Sequence, residues 1–201
     1  MGAGEIALPT LRWLLDLEDH ELVGIYTQPD KKVGRKQILT PPAVKVMAEG
    51  SGVAVFQPES FRNNHKEIEK LKSLDCDIAV VMAYGQILPA PVINAPKKAC
   101  VNLHASILPR HRGASPIQAS IRDGDSETGI TLMHIIPQLD AGDMILHQIT
   151  PITAEDTGGI LHDRLAQLGP TLLTKALPIL EGETIAAEPQ SENLVTYSGK
   201  L

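Results

Sequence analysis

The sequence predicts an α/β protein: a mostly parallel, twisted sheet covered by helices on both faces. Three observations predict it. Strand-like and helix-like segments alternate along most of the 201 residues, and right-handed crossovers turn such an alternation into a doubly wound layer. Residues 77–83 (DIAVVMA) form a continuous apolar run, the pattern of a central parallel strand covered on both sides. The composition, 43% hydrophobic and 21% charged, is that of a folded globular chain and excludes wholesale disorder. A chain this long buries one core without staples.

The elements follow in order. Leu8, Leu11, Leu14 and Leu15 recur at helical spacing within residues 4–17, after a glycine turn. Residues 21–27 (ELVGIYT) read as a strand. Pro41 and Pro42 open a helix to about Glu49, proline being tolerated in a first turn. Residues 53–56 are a short strand and 64–74 a polar helix of KEIEKLKSL type. After the apolar run come a strand at 99–103 and a short helix at 115–122. From Gly129 the pattern changes: GITLMHII and DMILHQI flank a short loop at 137–142, as an antiparallel pair would. Residues 157–180 are helical with an interruption at Gly169-Pro170. The tail from Glu181 is polar and poorly patterned. One strand is missing. The chain opens on the glycine turn, whereas a doubly wound sheet normally places its first strand centrally.

Composition also narrows the function classes. The longest clean apolar run has six residues, 78–83, far short of the ~20 needed to span a bilayer. No basic region precedes residue 10, so no secretory signal is expected. Ile6 stands where a myristoylation motif requires Ser or Thr. Cys76 and Cys100 border apolar runs and read as reduced, buried residues of a cytoplasmic protein. A net charge of −6 argues against nucleic-acid binding over the whole surface. Aromatics at 3% leave no stacking platform for bases.

Gly2-Ala3-Gly4-Glu5-Ile6-Ala7 fits the dinucleotide pattern G-x-G-x-x-A, with Asp30 further on. That fingerprint has meaning only after a strand. None precedes it here, so the stretch reads as the turn of a Rossmann-like sheet and no NAD is expected. Bare amides at a helix start can still hold an anionic or carbonyl group, which makes Gly2 and Gly4 candidate substrate contacts.

The chemistry-bearing stretch is NLHASILPRHRGASPIQ, residues 102–118, followed by LDAGD, 139–143. Asn102 and His104 lie two apart at a strand end, so their side chains share a face. Asp140 arrives from the loop between the two late strands. An amide, an imidazole and a carboxylate can then converge beyond the carboxyl end of a parallel strand, where open α/β sheets bind ligands. The amide can donate to a developing oxyanion, the imidazole can donate a proton, and the carboxylate can orient the imidazole or accept a proton. No Ser or Cys elbow accompanies them, so direct acyl transfer fits better than a covalent intermediate. Spacing alone leaves a second reading open, in which Asn102 caps a turn and His104 is a satisfied core residue. By themselves Pro109, Arg110, Arg112 and Gly113 suggest only a basic surface loop.

The stretch 102–118, with TGITLM at 128–133 and LDAGDMI at 139–145, resembles the signature of the folate-dependent formyltransferases. YTQPDKKVGR (26–35), VFQPES (55–60) and AYGQILP (83–89) resemble more particularly the branch acting on methionyl-tRNA. The likeness runs in order along the whole chain. It implies the formyltransferase fold, with Asn102, His104 and Asp140 catalytic. It implies that Ser106, Ile107, Leu108 and Pro109 border the folate. The folate would also be gripped by Met82, Tyr84, Gly85, Gln86, Ile87 and Leu88 on one loop, and by Leu139 and Asp143 on another. It implies formyl transfer from 10-formyltetrahydrofolate to the α-amine of initiator methionyl-tRNA, with no metal and no further protein partner. The sister reading is a formyltransferase acting on a sugar-nucleotide amine or glycinamide ribonucleotide.

Small departures occur: His111 where Trp is common, Ala141 where Thr is common. Larger ones lie at the ends, since members of the family begin with a strand and continue into a tRNA-binding barrel. The resemblance therefore divides the chain into a catalytic domain at 1–185 and the start of a linker at 186–201. It also makes the basic segment with Lys31, Lys32, Arg35 and Lys36 the part that approaches the acceptor stem. His20, His65, His134, His147 and His162 have no metal-ligand spacing and read as surface or strand residues.

Overall fold

The computed structural model describes residues 1–200. A 3-10 turn (Glu5–Ala7) leads into α1 (Leu8–Leu15), then β1 (Ile25–Tyr26), β2 (Lys31–Val33), β3 (Ile38–Thr40) and α2 (Ala43–Ala48). β4 (Val55–Phe56), α3 (His65–Ser73), β5 (Ile78–Val81), α4 (Ala90–Ile93) and β6 (Ala99–His104) follow. The second half contains β7 (Arg112–Gly113), α5 (Pro116–Arg122), β8 (Glu127–His134), β9 (Met144–Pro151), α6 (Gly158–Glu181) and β10 (Tyr197–Ser198).

The main sheet has the order β5-β6-β8-β9. β5 and β6 are parallel, with Val81 opposite Asn102; β8 runs antiparallel to β6, and β9 antiparallel to β8. β1 and β4 form a separate parallel pair. The sheet is therefore mixed, parallel through its first half and closed by the antiparallel hairpin that the late pattern predicts.

Between β1 and β5 lies the position where the sequence pattern expects a first strand. Met1 and Gly2 fill only its carboxyl end: Gly2 N–H donates to Tyr26 C=O, and Met82 N–H to Met1 C=O. The Met1 amine donates to the Val80 carbonyl at 2.6 Å. The remainder is a cavity of about 570 Å³ walled by Leu11, Ile25, Ile78, Val80 and Leu177, among others. β1 spans two residues, against the seven that ELVGIYT predicts.

The core has two layers, one on each face of β6. Val101 and Leu103 join Leu11, Ile130 and Leu132 in packing with Leu161, Leu165, Leu172 and Leu173 of α6. Cys100, on the other face, packs with Tyr26, Phe61, Ile68 and Val92. Truncating a fully buried leucine of α6 to Ala should cost about 2–5 kcal/mol.

Three sequence expectations are corrected. α6 runs unbroken through Gly169-Pro170. The proline forfeits one ladder bond, but the apolar stripe continues to Leu180, and Gly169 lies where a Cβ would collide with Thr10 Oγ1. The glycine thus marks a close crossing with α1, not an end. The basic segment is no plain loop: Lys31–Val33 and Ile38–Thr40 pair as an exposed antiparallel hairpin. Cys76 is only half-buried, whereas Cys100 is buried, its thiol pushed up to about 12 by that burial; both are free.

Candidate active site

Every ligand-facing segment leaves the same edge of the structure, because β1, β4, β5 and β6 all end there. The loops after them carry the motifs 26–35, 55–60, 83–89 and 102–118. Side-chain amides stitch them together. Gln28 Nε2 donates to the Tyr84 carbonyl at 2.8 Å, Gln57 Nε2 to the Gln28 carbonyl at 2.8 Å, and Gln86 Nε2 to the Pro58 carbonyl at 2.8 Å. Asp30 takes Lys45 Nζ at 2.9 Å and Gln57 Nε2 at 2.7 Å, and these bonds hold its carboxyl below the usual range. Asp30 is thus tied to the scaffold by Lys45 and Gln57.

Asn102 and His104 lie on one face of β6, with His104 its last residue and buried. His104 Nε2 lies 2.9 Å from the His111 carbonyl. A carbonyl can only accept, so Nε2 carries the proton. Nδ1 faces the Asp140 carboxylate at 3.7 Å, an ion-pair distance rather than a hydrogen bond. Asp140 holds a positive φ of 48°, a left-handed conformation that Asp tolerates better than most side chains. Its Oδ2 accepts the Gly113 N–H at 2.8 Å. The predicted triad is therefore assembled for His104 and Asp140, while Asn102 stands half-buried beside them with its amide free of any partner among the described residues.

The loop at 105–111 is fixed from below. Thr131 Oγ1 donates to the Ser106 carbonyl at 2.7 Å and accepts the Leu108 N–H at 3.2 Å; Ser106 Oγ donates to the Arg110 carbonyl at 2.6 Å. The Leu108–Pro109 bond is cis. Ser106 and Leu108 are buried by this packing. Met82, Tyr84 and Leu88 are also buried and act as the loop's foundation, with the Tyr84 phenol pushed up by burial. Gly85 is exposed and Gln86 half-buried. Ile87 is 90% exposed and Leu139 64% exposed, two bare aliphatic side chains on the two loops expected to grip a flat ring. Asp143 closes its loop by accepting the His134 N–H at 2.9 Å through its carbonyl. Gly2 spends its amide on Tyr26, so it offers no amide to a ligand; Gly4 packs against Ala83.

Sequence reasoning missed the residues that tie this arrangement together. Arg112 is not a surface residue: it is 2% exposed and donates to Gln190 Oε1 at 2.8 Å and Glu192 Oε1 at 3.0 Å. Residues 188–198, read from sequence as the start of a linker, lie against the site: Glu188 pairs with Met144, and β10 pairs with β7. A polar tail gives no periodic signal, and the arginine's partner lies 78 residues away. Gly113 was visible only as part of the motif. Its φ of +112°, and the collision a Cβ would make with the Ser198 carbonyl, explain the glycine.

Among the described residues no group of His, Cys, Asp and Glu could hold a metal ion, and no helix is long and apolar enough to cross a membrane. Lys31, Lys32, Arg35 and Lys36 are exposed on the hairpin, with Gly34 and Gln37 making its positive-φ turn.

Fold and site define an open α/β protein whose imidazole and carboxylate meet outside the carboxyl ends of its parallel strands, where carbonyl chemistry of the acyl-transfer kind can be served. The chain belongs to the formyl transferase family, whose model matches residues 13–177. It is 48% identical over all 201 residues to a methionyl-tRNA formyltransferase of Akkermansia muciniphila. The chain spans 63–64% of the length of the curated relatives it matches first. Among solved structures, it is similar to an N-formyltransferase of Helicobacter canadensis in complex with folinic acid and dTDP-3-aminofucose. The TM-score is 0.74 at 21% identity, covering 99% of this chain and 69% of that one. It is also similar to a phosphoribosylglycinamide formyltransferase of Anaplasma phagocytophilum, with TM-score 0.72 at 18% identity, covering 95% and 91%. These two likenesses establish the shared fold.

Proposed function

We propose that this chain carries the chemistry of methionyl-tRNA formylation. The formyl group of 10-formyltetrahydrofolate passes to the α-amine of initiator methionyl-tRNA, giving N-formylmethionyl-tRNA for translation initiation in the cytoplasm. The observation that carries the reading is the 48% identity across the entire chain to a methionyl-tRNA formyltransferase. The site's geometry supports it.

The amine attacks the formyl carbon and the carbonyl oxygen becomes an oxyanion. Asn102, with an uncommitted amide, donates to it. His104 has already given Nε2–H to His111, so Nδ1 is the nitrogen left to serve the reaction, with the Asp140 carboxylate 3.7 Å away. As the intermediate collapses, the proton lost by the amine reaches the departing folate nitrogen through this pair, and the site returns to its starting charge. The apolar side chains of Ile87 and Leu139 suit the faces of a pterin, in keeping with the folinic acid carried by the Helicobacter canadensis protein.

The exposed hairpin suits the acceptor stem. Its Lys31, Lys32, Arg35 and Lys36 are the concentrated source of cations on a chain of net charge −6, and phosphate neutralisation dominates affinity for a polyanion. Residues 1–185 are the proposed catalytic unit, with the 188–198 segment of the proposed linker packed against its site; the rest of the relatives' length is where more of the tRNA-binding surface is expected.

The test is formyl transfer to methionyl-tRNA from 10-formyltetrahydrofolate at one fixed salt concentration, with calorimetric titrations of 5-formyltetrahydrofolate and NADH. Formylated methionyl-tRNA, micromolar folate binding and an Arg35→Ala variant with a raised KM for tRNA but not for folate are expected. Transfer to a sugar-nucleotide amine instead, or tighter binding of NADH than of folate, would overturn the reading.

A further inference from the structure

We infer that Gln190 is a positioning residue for Asp140, and that residues 188–198 act as a strap setting the reacting geometry. The inference rests on the proposed formyl transfer for its kinetic consequence, though not for its structural one. Three consecutive residues of one loop each hold a different part of the site. The His111 carbonyl accepts His104 Nε2–H at 2.9 Å, Arg112 Nε donates to Gln190 Oε1 at 2.8 Å, and Gly113 N–H donates to Asp140 Oδ2 at 2.8 Å. Gln190 completes the circuit. Its Nε2 donates to the carbonyls of both Asp140 and Gly142 at 2.8 Å. One buried amide thus accepts from the 112 loop with its oxygen and clamps the 140 loop with its nitrogen.

The clamped loop is one that needs holding. Asp140 carries a φ of 48°, and a left-handed non-glycine residue persists only where its surroundings over-determine it. Gly142 sits where a Cβ would collide with the His134 carbonyl, so the loop is pressed onto β8 and its carbonyls turn inward. The side chains that meet there are buried: Gln190 is 8% exposed and Arg112 2%. The strap holds the 111 side too, since His111 N–H donates to Thr196 Oγ1 at 2.8 Å. Both neighbours of His104, the His111 carbonyl and the Asp140 carboxylate, are therefore fixed by the same strand of chain, and the 3.7 Å gap at Nδ1 depends on it.

Two substitutions separate positioning from bulk. Gln190→Met keeps the volume and loses both polar functions. Gln190→Glu keeps the size and the acceptor for Arg112 but turns a carboxylate oxygen toward two carbonyls. The first readout needs no activity: the 15N shifts of the His104 ring in the 201-residue protein. In both variants the Nδ1 resonance is expected to move as Asp140 shifts, while the Nε2 resonance, held by His111, stays. The second is kinetic. Misplacing a reacting group by about 1 Å costs up to ~100-fold in rate, so kcat should fall about tenfold to a hundredfold with the folate KM within about twofold. The activity of Gln190→Glu relative to wild type should recover as pH falls, because a protonated carboxyl regains one donor.

Unchanged His104 shifts in both variants, or Nδ1 and Nε2 signals that move together with the folded fraction, would overturn the inference. So would normal kcat in Gln190→Glu. If the wild-type protein transfers no formyl group yet the Nδ1 signal moves selectively, the strap stands and the proposed function falls.

Discussion

His104 donates its Nε2–H to the backbone carbonyl of His111, seven residues further along the chain. This bond fixes both the tautomer and the ring plane, leaving Nδ1 as the nitrogen that faces Asp140 and the open edge of the sheet. It also makes His111 a participant through its backbone alone, at a residue whose φ is 58°. Its imidazole points elsewhere, onto Asp125 at 2.6 Å.

The first prediction concerns transition-state stabilisation. Replacing Asn102 or His104 by Ala should lower kcat about 100-fold or more, the usual cost of deleting an oxyanion donor. The KM for 10-formyltetrahydrofolate should change little, because the lost contacts form in the transition state. Steady-state kinetics of both variants test this, and near-normal turnover by His104→Ala would remove the imidazole from the mechanism.

Asp140→Asn tests the carboxylate. The variant keeps an oxygen to accept Gly113 N–H, so the loop and the melting temperature should hold. It loses the charge facing Nδ1, and activity should collapse by two or more orders of magnitude, as expected when a group that orients a catalytic imidazole loses its charge. An intact melting transition with unchanged kcat would make Asp140 purely structural.

Much of this was legible in the sequence, for local reasons. The apolar run at 77–83 became β5, the late alternation became the β8–β9 hairpin, and the polar stretch at 64–74 became α3. Asn102, His104 and Asp140 were legible because strand parity and motif place them. What escaped depends on distant packing. Gly169-Pro170 reads as a break until Thr10 is seen against it, and Arg112 reads as solvated until Gln190 and Glu192 arrive from the tail. A hairpin of exposed Lys31–Val33 and Ile38–Thr40 leaves no burial pattern to read.

Gly113→Ala should be among the most damaging single-atom additions. The residue needs a φ of +112°, and the new methyl would collide with the Ser198 carbonyl. Left-handed strain costs ~1–3 kcal/mol, and relieving the clash requires β10 to leave β7. A fall in the chemical-denaturation midpoint, together with loss of formyl transfer, is expected. Wild-type stability would show that β10 does not seat on β7 in solution.

The last prediction concerns the cavity between β1 and β5. In the 201-residue chain the Met1 amine is buried beside β5, hydrogen-bonded to the Val80 carbonyl, and burial lowers its pKa to about 6 from 8.0. The sign follows from linkage. Between pH 6 and 8 the unfolded chain binds the proton and the folded one resists it, so stability should rise with pH through this window. Below about 6 the penalty is complete, and above 8 it is gone. The backbone around the cavity carries a second deficit. Ile25 and Thr27 donate toward β4, so by strand alternation the amides of Gly24 and Tyr26 face the empty position. An engineered extension of about four or five consecutive apolar residues before Met1 would convert the amine to a neutral amide, pair those groups and fill the cavity. Its expected effects are a higher melting temperature and a shallower rise of stability from pH 6 to 8, measured by thermal melts of both chains at several pH values. An extended chain that melts no higher, or that keeps the same pH slope, would show that the cavity does not accept a strand.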